Sequence, residues 1–148
     1  LADGYLERGY EVKFISFCRF QGDEEAIREI REIMANPDKD RVTECCYDQN
    51  LQECIECFSE SEIVIGTRFH SIILGWLMGK KVLPIIYDLK TKYTLEDNEC
   101  PFYLQLGNLN SDVEELIGKV DKLKPSENEN LIAEAAGQFR ALDHILRG

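Results

Sequence analysis

Apolar residues along this chain follow two rhythms, and the two alternate. Tyr10 to Phe17 carries Val, Ile and Phe at the density of a strand. Before it, Leu1 to Gly9 reads as the tail of a helix stopped by Gly9. After it, Gln21-Gly22 makes a turn and Asp23 is placed to cap a helix, with Glu24 and Glu25 in the first turn where the dipole favours acids. Ile27, Ile30 and Ile33 or Met34 then recur at helical spacing, and Asn36-Pro37 ends that helix.

The same alternation continues. Arg41 to Tyr47 is a weaker strand, and Asp48 is expected to cap a helix with Leu51, Cys54, Ile55 and Phe58 on one face. Glu62 to Gly66 is a short, wholly apolar strand of the parallel type. The helix from Arg68 to Met78 is apolar nearly all round, which predicts an interior position. Gly79 ends it, and Val82 to Tyr87 is the next strand, expected to be short or bulged because of Pro84. A polar, basic segment follows from Asp88 to Tyr93, and Phe102 to Leu106 is a candidate last strand.

Ser111-Asp112-Val113-Glu114 has the pattern of a capping box, opening a helix with Val113, Leu116, Ile117 and Val120. Lys124-Pro125-Ser126 breaks the chain. A final helix is expected from Glu127, with Leu131, Ala135, Phe139, Leu142 and Leu146 on one face. The order α-β-α-β-α-β-α-β-α-β-α-α predicts a Rossmann-like α/β fold, a parallel sheet with helices on both faces. The 148 residues fit one domain. The chain opens at Leu1 inside a helix tail, which reads as a fragment of a longer protein cut just after a first strand.

Composition narrows the function classes. The formal net charge of −11 argues against nucleic acid and against anionic lipid as partners. No apolar run is long enough to span a bilayer, and no signal peptide is visible. The six cysteines lie partly in apolar runs and read as core thiols, so a reducing, cytoplasmic setting is expected. Cys54-x-x-Cys57 near Cys45-Cys46 raises zinc, but the pairs are closely spaced and Cys54 falls on an apolar helix face, so packing is the preferred reading. Trp76 and Met78 need no more than packing to explain them, and His144 reads as a surface or partly buried structural residue.

The informative stretch is Ile63 to Ser71. In a parallel sheet, ligands bind beyond the carboxyl ends of strands. This strand ends at Gly66, and Thr67, Arg68, Phe69 and His70 follow at the start of a helix. Helix N-termini favour anions. Thr67 can cap the helix, Arg68 can grip a carboxylate or phosphate, and His70 can move a proton near neutral pH. If the next strand, which ends at Tyr87, lies alongside, Lys90 emerges on the same rim, and Arg68, His70, Lys90 and Lys92 together would make a local positive exception. Taken singly, each of these residues also fits a solvated surface position.

Strand-Gly-Thr-Arg-Phe-His, an apolar helix, Pro84 and then Tyr87-Asp88-x-Lys90 together resemble the C-terminal half of polysaccharide pyruvyl transferases. The helix start at Asp23-Glu24-Glu25 fits the family layout, and Phe69 stands where the family usually has Leu. The resemblance implies a two-domain, glycosyltransferase-B-like protein whose N-terminal domain is absent from this chain. It implies transfer of a pyruvyl group from phosphoenolpyruvate to a saccharide acceptor as a cyclic ketal, with no further cofactor or metal. Arg68 and His70 would then be catalytic, His70 as proton carrier or as stabiliser of departing phosphate. Gly66, Thr67, Arg68, Phe69, His70, Tyr87 and Lys90 would bind substrate, and the chain alone would be inactive. Two other readings stay open: a nucleotide-sugar-binding half of a glycosyltransferase, and a non-catalytic anion sensor.

Overall fold

Helices and strands alternate in a computed structural model that describes residues 1–36, 38–47, 50–108, 112–127 and the positions 132, 133 and 137. In chain order the elements are α1 (Ala2–Glu7), β1 (Val12–Ser16), α2 (Asp23–Ile33), β2 (Val42–Cys46), α3 (Leu51–Glu60), β3 (Ile63–Gly66), α4 (Phe69–Leu77), β4 (Lys81–Ile86), α5 (Leu89–Asp97), β5 (Leu104–Gln105) and α6 (Val113–Asp121). Among the described residues every strand pair is parallel. β1 pairs with β2, and β4 lies between β3 and β5. The fold is α/β and Rossmann-like, as the alternation of apolar rhythms predicts.

Strand period explains why helices cover both faces. Successive side chains on a strand point to opposite sides. Val64, Val82 and Ile86 therefore pack on one side, against Cys54 and Phe58 of α3, Ile72 of α4 and Leu95 of α5. Ile63, Ile65, Leu83 and Ile85 pack on the other, against Tyr5 of α1 and Leu116, Ile117 and Val120 of α6. Gly75 lets α4 lie close on β3 and β4, since a β carbon there would come within 2.8 Å of Val82 and 3.2 Å of Val64.

Several local expectations are corrected. β4 is neither short nor bulged: it spans Lys81–Ile86, with Pro84 opposite Gly66. Its ladder with β5 begins only at Ile85, so the missing N–H of Pro84 interrupts no pairing there. α4 is not enclosed by the interior. Only Ser71, Ile72 and Gly75 are buried, and Leu77 is exposed. On α2 only Ile27 is buried, while Ile30 and Ile33 face outward. The basic segment after β4 is helical, and forms most of α5.

The caps also differ from the sequence reading. Asn50 caps α3 by accepting the Glu53 N–H at 3.2 Å, and Asp112 caps α6 by accepting the Glu114 N–H at 2.9 Å. Pro37, Asp48, Ser111, His144 and most of the expected final helix lie outside the described residues.

Candidate active site

β3 and β4 are neighbours with Gly66 opposite Pro84, so their carboxyl ends lie side by side. A helix begins just beyond each. α4 starts at Phe69 and α5 at Leu89, and the two N-termini share one rim. This brings all seven predicted site residues to the same edge of the sheet: Gly66 through His70 from the β3–α4 turn, Tyr87 and Lys90 from the β4–α5 turn.

The two N-termini are not equivalent. Asp88 caps α5, accepting the Thr91 N–H and the Thr91 hydroxyl, each at 2.8 Å. These bonds, the backbone one foremost, hold the Asp88 carboxyl below its ordinary range. α5 thus already has an anion at its positive end. Among the described residues α4 has none: its N-cap is Arg68, in extended conformation, and no side chain caps the helix. Thr67 is exposed and does not fill the capping role expected of it. The leading N–H groups of an α-helix lack intrahelical acceptors, so α4 offers an anion what α5 has satisfied internally.

Phe69 organises the side chains at this opening. Its ring meets His70 edge-on, with centroids 6.1 Å apart and planes at 78°. The Lys90 ammonium lies over the same ring, 5.6 Å from its centroid. His70, Lys90 and Tyr87 are exposed, so a ligand on the rim can reach them. Among the described residues Lys90 makes no ion pair, whereas Lys92 is drawn to Glu96 at 3.6 Å. The expected positive rim is therefore narrower than four cations.

Arg68 is the residue whose surroundings differ most from the sequence reading. Its Nε donates to Asp23 Oδ1 at 2.9 Å, and its Nη2 donates to the same oxygen. Nη2 also reaches the Gln21 carbonyl at 3.2 Å, and Nη1 approaches the Tyr87 hydroxyl at 3.4 Å. Asp23 is not the cap of α2. Gly22, in left-handed conformation, takes that position, and Asp23 is the first helical residue. Its Oδ2 accepts the N–H groups of Phe17 and Cys18 at 3.0 and 2.9 Å, at the end of β1. Burial pushes the Asp23 carboxyl up, but the bonds from Arg68, Cys18 and Phe17 outweigh it and leave the carboxyl below its ordinary value. The hydrogen bond from Arg68 to Asp23 raises the guanidinium in turn.

Sequence reasoning missed this pairing because the partners are 45 residues apart. The available signal was topological: the start of α2 and the turn after β3 each follow the carboxyl end of a strand. A cleft of about 440 Å³ opens instead near the start of β4, lined in part by Trp76, Lys80, Cys100, Lys122 and Lys124, and holds none of the seven residues. Among the described residues no group of three or more His, Cys, Asp or Glu is placed to hold a metal, and no helix is long and apolar enough to cross a membrane.

The sequence model of the family described as polysaccharide pyruvyl transferase matches residues 1–88, more than half of the chain. The matched span includes Asp23 and the whole Gly66–His70 turn, and ends two residues before Lys90. No curated protein and no solved structure matches the chain.

Proposed function

The chain belongs to the polysaccharide pyruvyl transferase family, and on that premise we propose that it supplies the phosphoenolpyruvate-binding half of the enzyme. The observation that carries this reading is the uncapped N-terminus of α4, with His70, Lys90 and the Nη1 edge of Arg68 beside it. Phosphoenolpyruvate carries a carboxylate and a phosphate close together. The α4 N-terminus and Arg68 suit one anion, and Lys90 across Phe69 suits the other. The chain is then the C-terminal half of a two-domain, glycosyltransferase-B-like protein acting in the cytoplasm, and an N-terminal domain brings the saccharide acceptor.

The reaction balances without an outside reagent. The carbon–carbon double bond opens as the methylene carbon of the enol gains a proton, and the central carbon gains two bonds to acceptor hydroxyl oxygens. The bond from that carbon to the phosphate oxygen breaks. One of the two hydroxyl protons is accounted for by the new methyl group, and the other leaves with phosphate. His70, exposed in the first turn of α4, is the group placed to carry a proton through this exchange. Arg68, Lys90 and the helix N-terminus stabilise charge on the departing phosphate. No cofactor beyond the donor is invoked.

The test uses the full-length protein with phosphoenolpyruvate and a panel of saccharides, following phosphate release and ketal formation. Arg68→Ala should raise the donor KM, and His70→Gln should lower kcat with less effect on KM. In deuterated buffer the wild-type product should carry deuterium in its pyruvyl methyl group. A protein that neither binds phosphoenolpyruvate nor releases phosphate with any acceptor would defeat the reading.

A further inference from the structure

We infer that Asp23 is a positioning residue for the donor site, holding the Arg68 guanidinium so that its Nη1 edge faces the incoming anion. The inference rests on the reading of Arg68 as a donor ligand given above.

The hydrogen-bond inventory carries it. A guanidinium has five N–H donors. Asp23 Oδ1 takes Nε and one donor of Nη2, and the Gln21 carbonyl takes the other donor of Nη2. Among the described residues only the Nη1 pair is left without a close acceptor, and its hydrogen-bond contact is the Tyr87 hydroxyl at 3.4 Å, beyond the distance of a good hydrogen bond. An anion on the rim therefore meets Arg68 through Nη1, on the side of Tyr87, and not through the Nε–Nη2 edge.

Asp23 is built to stay where it is. Its side chain is 11% exposed, and that of Arg68 is 25% exposed. Oδ2 is fixed by two backbone N–H groups at the end of β1, so the carboxylate cannot swing away with the guanidinium. One side chain thus joins the end of β1 to the turn after β3. A residue that merely neutralised Arg68 would need only one contact to it; Asp23 makes two to Arg68 and two to backbone.

Positioning and charge masking predict opposite signs. If Asp23 only cancels the charge of Arg68, removing its charge tightens phosphoenolpyruvate binding. If it orients Arg68, removing its charge weakens binding. The experiment measures phosphoenolpyruvate binding by calorimetry and the donor kcat/KM in the full-length protein, for Asp23→Asn, Arg68→Ala and the double variant. The expected result is a loss of about tenfold to a hundredfold in donor kcat/KM for Asp23→Asn, with an unchanged circular dichroism spectrum. No further loss should appear when the substitution is added to Arg68→Ala. Should the Asn variant not fold, Asp23→Glu keeps the charge and both oxygens but displaces the guanidinium, and the same non-additive loss is expected. Unchanged or tighter binding in a folded Asp23 variant, or losses that add to those of Arg68→Ala, overturns the inference. Arg68→Ala by itself tests the underlying reading: donor binding that survives that change removes Arg68 from the site, and the role of Asp23 with it.

Discussion

Gly66 and Ser71 approach so closely that no side chain fits between them. A β carbon on Gly66 would lie 2.7 Å from Ser71 Oγ and 2.9 Å from Ile72 Cγ1. The Ser71 hydroxyl is already committed, donating to the Arg68 carbonyl at 2.6 Å. The chain can therefore leave β3 and begin α4 within two residues, which sets the open helix end directly over the strand end. Gly66→Ala should push Ser71 and Ile72 outward, at a cost of about 1–3 kcal/mol. Because the displaced atoms belong to the first turn of α4, donor binding should weaken too. Urea unfolding together with phosphoenolpyruvate titration checks both. A variant as stable and as tight-binding as wild type would show that the turn has slack.

The Phe69 ring carries the Lys90 ammonium over one face while meeting His70 edge-on. An exposed cation–π contact is worth about 0.5–1 kcal/mol. Phe69→Leu should therefore change stability by no more than about 1 kcal/mol and raise the donor KM about twofold to fivefold. Lys90→Ala removes the charge itself and should raise KM further, with little change in stability, since the side chain is exposed. Steady-state kinetics on the two variants separates the contribution of the ring from that of the charge. Equal effects would mean that Lys90 acts only by packing on Phe69.

The sequence and the structure agree best where the signal is periodic. Val64, Val82 and Ile86 against Ile63, Ile65, Leu83 and Ile85 divide by parity alone, so the two-faced parallel sheet is readable from the order of residues. α5 was harder to read. Its only buried residues are Thr91 and Leu95, too sparse a stripe to mark a helix, and its cap Asp88 looks like any loop acid. The site was legible as a list of residues on one rim, because the end of a parallel strand followed by a helix start is a local pattern. The state of Arg68 was not. Its partner Asp23 fits a helix-cap pattern equally well, and only the third dimension shows it bonded to the end of β1 and to Arg68.

Thiol reactivity should follow burial. Among the described residues none of the six cysteines is joined in a disulfide. Cys45 of β2 and Cys54 and Cys57 of α3 are buried, and Cys46 is exposed. Burial, with a hydrogen bond to Cys57 second, pushes the Cys45 thiol up to about 12, and burial also raises Cys54. Thiolate is the reactive form, so iodoacetamide at pH 8 should label Cys46 first and leave Cys45 and Cys54 unmodified until the protein is unfolded. Mass spectrometry of a labelling time course reads this directly. Rapid native labelling of Cys45 would mean that α3 separates readily from β2.

Tyr5 is 5% exposed and packs edge-on against Tyr10 with ring centroids 5.3 Å apart, and its hydroxyl has no hydrogen-bond partner among the described residues. A buried polar group left unpaired costs about 1–3 kcal/mol. Tyr5→Phe keeps the ring and removes that cost, so it should stabilise the protein by about 1 kcal/mol at neutral pH. The pH dependence has a definite sign. Burial, then the nearby Asp121 carboxylate, raises the Tyr5 hydroxyl from 10.0 to about 12. The folded protein thus holds this proton more tightly than the unfolded chain does, so the contribution is complete below pH 10 and is lost as the pH rises toward 12. The advantage of Tyr5→Phe over wild type should accordingly widen between pH 10 and pH 12. Urea midpoints for both proteins at pH 7, 10 and 11.5 test this. A difference that stays constant across that range would place the Tyr5 hydroxyl in contact with a partner or with solvent.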